Sequence, residues 1–149
     1  MIWTTTPWTI PANLAICLNP ELTYALVDSE KGKLIVLEEL IDSLWTKFGL
    51  EKKEILKTFK GRDLEMITCQ HPLYDRESLI ILGDHVTADA GTGCVHTAPG
   101  FGADDFFVGQ KYGLPAYCNV DEHGCMMEDA GDWLKGQYVD DANKTAPTV

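Results

Sequence analysis

No run in this 149-residue chain approaches the roughly 20 consecutive apolar residues that a membrane-spanning helix needs, so no membrane role is expected. Its opening, Met1-Ile2-Trp3-Thr4, lacks the basic and apolar regions of a secretory signal, which leads to the expectation of a cytoplasmic chain with reduced thiols. The five cysteines are an odd number and include no Cys-x-x-Cys pair. The pairs Cys69-x-His71 and Cys94-x-His96 and the cluster Cys118, His123 and Cys125 carry ligand-type side chains without the spacing of a tetrahedral zinc site, so no metal is expected. Basic charge is scarce too: 12 Lys and Arg face 23 Asp and Glu, for a net charge of −11. Such a chain repels a phosphate backbone, which argues against nucleic-acid binding without help from other domains. Neither the lysine-bearing loop of phosphate-binding enzymes nor a dinucleotide fingerprint occurs.

What is present suits a folded domain. Hydrophobic residues make up 45% and charged residues 23%, and this length fits one domain that buries roughly two thirds of its unfolded surface. Short apolar runs at Leu14 to Leu18, Tyr24 to Val27, Leu34 to Leu37 and Leu79 to Leu82, most of them bounded by turn formers, predict strands. Leu37, Leu40, Ile41, Leu44, Trp45 and Phe48 recur at helical spacing and stop at Gly49, a natural C-terminal cap. A second helix is predicted from Ala103 to before Gly113, with Asp104 and Asp105 in its first turn opposing the helix dipole. Strands outnumber helices without alternating regularly with them, which predicts an α+β domain around a twisted sheet or barrel.

Two stretches concentrate chemistry. In Trp3-Thr4-Thr5-Thr6-Pro7-Trp8-Thr9-Ile10-Pro11-Ala12-Asn13, the two prolines predict an extended segment turning into a loop. Its hydroxyls and amide suit a polar ligand and its indoles an apolar or aromatic one; the alternative is an edge strand with two core tryptophans. The second stretch, Asp89-Ala90-Gly91-Thr92-Gly93-Cys94-Val95-His96-Thr97-Ala98-Pro99-Gly100-Phe101-Gly102-Ala103-Asp104-Asp105, is a glycine-punctuated strand feeding the second helix. Glycines admit a ligand close to the backbone, and His96 and Asp105 suit the two walls of one pocket. A satisfied structural histidine is the competing reading of His96. A Cys94–His96 nucleophile and base would need an orienting partner and an oxyanion hole, neither of which the sequence identifies.

Together, Trp3 to Asn13 and Gly91-Thr92-Gly93-Cys94-Val95-His96-Thr97-Ala98-Pro99-Gly100 resemble the two signature stretches of the editing insertion of isoleucyl-tRNA synthetases. Related leucyl and valyl insertions carry Thr-Thr-Arg-Pro in place of Thr5-Thr6-Pro7. The resemblance extends over nearly the whole chain. It implies a β-barrel-like core with surrounding helices, excised from a larger class I synthetase whose synthetic-site signatures are missing here. The implied activity is an aminoacyl-tRNA deacylase that hydrolyses the ester of valine mischarged onto isoleucine tRNA; the alternative is a non-catalytic module that only binds the aminoacylated 3′ end. The parent enzyme would ligate isoleucine to its tRNA using ATP, and the editing domain itself would need no cofactor or metal. Implied partners are the 3′ aminoacyl-adenosine end of the tRNA and the rest of the synthetase, with weak tRNA binding by the chain alone.

By the same resemblance, Asp105, Thr5 and Asn13 are the catalytic candidates, with the Asp105 carboxylate pairing with the substrate's α-ammonium group. Thr4, Thr6 and His96 contact substrate, His96 and Thr6 as a wall that admits valine and rejects isoleucine. Thr4, Thr5 and Asn13 hold the terminal adenosine or the attacking water. Phe101 departs from the family, where a histidine commonly stands between the two glycines at the rim of the pocket.

Overall fold

A computed structural model describes residues 1–4, 6–89, 91–128 and 134–145. In chain order the strands are β1 (Ala15–Leu18), β2 (Thr23–Ser29), β3 (Gly32–Leu37), β4 (Glu54–Lys60), β5 (Thr68–Gln70), β6 (Glu77–Leu82) and β7 (Cys94–Thr97). The helices are α1 (Ile41–Phe48), α2 (Ala103–Lys111) and α3 (Val139–Thr145), with 3-10 turns at Pro7–Ala12, Glu38–Leu40 and Gly61–Leu64. Strands form a four-stranded sheet in the order β5-β6-β1-β7 and a three-stranded sheet in the order β3-β2-β4, and among the described residues neither closes into a barrel. The α+β class stands, with open sheets in place of the barrel.

The chain folds as two compact units, each assembled from three stretches. The first comprises Met1–Trp3, Ile16–Ile67 and Ile80–Val95. Here β2 pairs antiparallel with β3, Tyr24 opposite Leu37 and Val27 opposite Leu34, and with β4 across an irregularity at Leu26/Val27. Ile41, Leu44 and Trp45 of α1 pack with Ala25, Val27, Val36 and Leu50. Gly49 ends α1 at φ +65°, a left-handed conformation that costs other residues about 1 kcal/mol or more. The expected helical face included Leu37, but Leu37 closes β3 and donates its amide to the Thr92 carbonyl at 3.0 Å. Pairing across the sheet takes that residue from the helix, and a 3-10 turn bridges to Ile41.

The second unit comprises Thr4–Ala15, Thr68–Leu79 and His96–Val149. Met126, Leu134 and Ala142 are buried together, with Trp8, Val120 and Val139 against them, and α3 packs on the Pro7–Ala12 turn. That turn corrects the extended reading of this stretch. Thr9 donates to the Thr6 carbonyl at 3.0 Å and Asn13 to Ile10 at 2.9 Å, the i→i+3 pattern of a 3-10 helix. Pro7 sits in the first turn, where a missing N–H costs nothing.

Tyr24 anchors the first unit. Its side chain is fully buried; its hydroxyl donates to the Gly93 carbonyl and accepts the Asn19 amide at 3.0 Å. Tyr24→Phe removes both contacts and leaves a buried donor and acceptor unpaired, so we predict a loss of about 2 kcal/mol in unfolding free energy. Urea titration checks this: an unchanged midpoint would show that the hydroxyl contributes nothing.

Candidate active site in the second unit

The start of β1 sets the geometry. Leu14 donates to the Thr97 carbonyl at 3.1 Å and accepts the Leu79 amide at 3.2 Å, so residue 13 is flanked by residues 96 and 78. Asn13 is buried. Its Nδ2 donates to the Ala15 carbonyl at 3.0 Å and meets His96 Nδ1 at 2.6 Å, while its Oδ1 accepts the Ser78 hydroxyl. On the other side of the ring, His96 Nε2 lies 2.9 Å from Thr9 Oγ1, whose own proton goes to the Thr6 carbonyl at 2.9 Å.

These contacts determine the protonation of His96. The Ala15 carbonyl can face only the NH2 end of the Asn13 amide, so the second N–H of that group points to Nδ1, which must be the unprotonated nitrogen. Nε2 then carries the hydrogen and donates to Thr9, whose hydroxyl proton is already committed. A proton on Nδ1 would face another donor. Burial, followed by the nearby His71, lowers the His96 pKa from 6.5 to about 4, in keeping with a ring held neutral.

A second set of contacts clamps the same segment from the β5–β6 hairpin. Buried His71 donates from Nε2 to the Ile10 carbonyl at 3.0 Å and accepts the Leu73 amide on Nδ1 at 3.1 Å. Arg76 Nη2 donates to the carbonyls of Pro11 and Asn13, the latter at 3.2 Å. Burial and the Arg76 charge push the His71 pKa down, so this ring is neutral as well.

Asp105 occupies the first turn of α2, and its Oδ2 accepts the Ala98 amide at 3.0 Å. The intervening turn is tight: a Cβ on Gly100 would lie 2.1 Å from the Tyr117 carbonyl oxygen, so only glycine fits. Phe101 meets Trp8 edge-on, with ring centroids 5.1 Å apart and planes at 83°. At the position where Phe101 departs from the family pattern there is thus an aromatic pair.

The predicted residues fall into three groups. Asn13 and His96 share one hydrogen-bonded run that ends at the Thr6 carbonyl. Thr6 is exposed and Thr4 half-buried; their hydroxyls are 3.3 Å apart and the Thr6 amide donates to Thr4 Oγ1 at 3.1 Å. Asp105 is tied to Ala98, two residues along from His96. Thr5 lies outside the described residues. Sequence reasoning gave no role to Thr9, Ser78, His71 or Arg76, because a short hydroxyl beside an apolar run, or a lone His and Arg in a hairpin, carries no periodic signal. Cys94 is buried, its thiol 3.7 Å from the Ile35 carbonyl. Among the described residues no three His, Cys, Asp or Glu are grouped to hold a metal. In the first unit, a cavity of about 340 Å³ lined by Trp3, Leu40, Lys47 and Phe48 includes none of the predicted residues.

No protein-family profile matches the chain. It is 54% identical over 144 residues to the isoleucine–tRNA ligase of Geobacillus thermodenitrificans and 52% identical over 144 residues to that of Bacillus subtilis. In both cases the match takes in 97% of this chain but 16% of the relative, so the chain spans about a sixth of their length. Among solved structures it superposes on GlLeuRS-CP1 with a TM-score of 0.73 and 16% identity, covering 96% of this chain and 76% of that one. For the cytosolic leucyl-tRNA synthetase editing domain of P. knowlesi the TM-score is 0.71 at 13% identity, covering 96% and 77%. At such identities the structural likeness speaks for the fold.

The buried neutral histidine has a thermodynamic consequence. Unfolded His96 titrates near 6.5, and the folded ring near 4, so between these values the unfolded state binds the extra proton. Stability from this group is complete above pH 6.5 and lost as pH falls toward 4, by on the order of 3 kcal/mol. Comparing unfolding free energies of the native chain and His96→Gln across this range should isolate the difference; parallel curves would rule the effect out.

Proposed function

The chain is homologous to part of the isoleucine–tRNA ligases and carries the fold of synthetase editing domains, and from this premise we propose that it is a proofreading deacylase that hydrolyses valine esterified to isoleucine tRNA. Isoleucine and valine differ by one methylene, and an apolar pocket discriminates on that basis by only about 10–200-fold, a limit for which this enzyme family is itself the standard illustration. A second site that accepts valine and excludes isoleucine overcomes the limit, because an extra methylene forced into a filled pocket meets steep repulsion.

The observation that carries the proposal is the state of His96. Both ring nitrogens are engaged, by Asn13 and Thr9, so the ring offers a ligand its carbon edge and its faces. That is the equipment of a wall, and an acid or base needs a free nitrogen. Thr6 extends the wall with an exposed side chain. The Asp105 carboxylate pairs with the α-ammonium group and orients the ester, and Thr4 and Thr5 hold the terminal adenosine or the water. Asn13, a catalytic candidate in the sequence, is buried with both N–H groups and its oxygen partnered, so in this reading it supports the ring and does not hold the adenosine or the water. Water is activated by positioning and by a ribose hydroxyl of the substrate itself, since both nitrogens of His96 are engaged by Asn13 and Thr9. The reaction as proposed needs no metal or cofactor. With a net charge of −11, the chain binds tRNA weakly alone, and the rest of the parent synthetase holds the tRNA and performs the ATP-dependent ligation.

The roles separate in single-turnover deacylation of valyl- and isoleucyl-tRNA by the full-length synthetase. Asp105→Ala loses a charge-assisted contact of about 1.5–3 kcal/mol, so valyl-tRNA clearance should drop by about one to two orders of magnitude; clearance at the normal rate contradicts the anchor. His96→Ala cuts back the proposed wall and should raise isoleucyl-tRNA cleavage by about one to two orders of magnitude, with valyl cleavage less affected. Equal slowing of both esters would instead mean that His96 acts in the chemistry itself. Persistence of full hydrolysis when this chain is deleted from the synthetase would favour a module that only binds the aminoacylated end.

A further inference from the structure

The run of contacts that holds His96 begins outside both sequence signatures, at Ser78. We infer that Ser78 is a positioning residue for proofreading: its hydroxyl fixes the Asn13 amide, and the amide fixes the imidazole that sizes the substrate. This rests on the sieve reading of His96.

Ser78 lies on β6 and is 2% exposed, so its influence on substrate passes through its neighbours. Its Oγ donates to Asn13 Oδ1, the one atom of that amide not facing Ala15 or His96. Main-chain pairing of Leu79 with Leu14 at 3.2 Å keeps the two side chains level. An amide has one acceptor and two donors, and here all are used in a single orientation. Without the hydroxyl, Oδ1 becomes a buried acceptor with no partner, and rotating the amide to relieve it takes the donor away from His96 Nδ1. Among the described residues the ring then keeps only its hydrogen bond to Thr9 at Nε2, and one such bond leaves rotation about Cβ–Cγ less restrained than two. A wall that turns no longer excludes a single methylene. Thr9 braces the opposite nitrogen but lies within the signature that forms the site, whereas Ser78 acts from behind it.

The experiment compares Ser78→Ala, Ser78→Cys and Ser78→Thr in the full-length synthetase, reading the ratio of valyl- to isoleucyl-tRNA deacylation rates. Ser78→Ala is expected to lower that ratio about tenfold, within the range that one methylene commands. Ser78→Cys keeps the volume but offers only a weak S–H donor, so it should lose selectivity in the same direction and reports on the hydroxyl even where alanine compromises folding. Ser78→Thr keeps the hydroxyl and should retain the native ratio. A merely structural serine predicts equal slowing of both esters at an unchanged ratio, and that result overturns the inference, as does equal loss of selectivity in the threonine and alanine variants. His96→Ala is the internal control. If it fails to change the ratio, the sieve reading falls; if it changes the ratio while Ser78→Ala and Ser78→Cys do not, only the role of Ser78 falls.

Discussion

The Asn13 amide can point only one way, and most of the second unit's chemistry follows from that. The Ala15 carbonyl takes one N–H and the Ser78 hydroxyl takes the oxygen, which leaves one donor for His96. A buried side-chain amide with both N–H groups and its oxygen partnered is a rigid part, since any rotation leaves at least one group unpaired in a low-dielectric setting. That rigidity passes to the imidazole, which keeps one tautomer and one orientation. Discrimination by size depends on such stiffness more than on chemical reactivity, because a side chain that yields by a few tenths of an ångström stops excluding a methylene.

Around this centre, one histidine and one arginine of the β5–β6 hairpin hold backbone. Arg76 and His71 bind the carbonyls of residues 10, 11 and 13, which fixes a segment where two prolines have removed main-chain donors. Trp8 and Phe101 lean on one another, and Gly100 lets the turn before α2 touch the backbone at Tyr117. The polar clamp compensates for what the prolines take away, and it does so with side chains drawn from a hairpin distant in sequence.

How much of this could be read from residues alone differs by element. The strands at β1, β2, β3 and β6 and helix α1 were legible because each buries an apolar pattern, whereas α2, which buries only Val108 and Gly109, was legible from the aspartates of its first turn and its glycine-rich entry; Gly49 and Gly113 announced the helix ends. β4 was not anticipated: nearly all of its residues are exposed, so burial imposes no alternation on Glu54–Lys60. α3, with two aspartates in its first turn, is too short and polar to show a period. The 3-10 turn at Pro7–Ala12 was misread as extended because the rule that proline disfavours helix in its predecessor speaks of α geometry, and a turn closed by i→i+3 bonds escapes it. His96 and Asp105 were singled out through their place in a glycine-rich signature. Ser78 and Thr9 went unassigned, since the run they share with Asn13 and His96 is assembled by the lateral pairing of residues 14, 79 and 97, which no one-dimensional pattern displays.

The strand that gave no signal also has a colloidal consequence. β4 forms one edge of its sheet, and such an edge is an open template on which a second chain can add a strand. This one carries Ile55, Leu56 and Phe59 among Glu54, Lys57, Thr58 and Lys60, and Ile55 and Leu56 are 50% and 44% exposed. Apolar side chains alone would make it an adhesive border, but the two lysines and the glutamate place charges that another copy must desolvate in order to dock. A net charge of −11 on every copy adds a general repulsion to that desolvation cost.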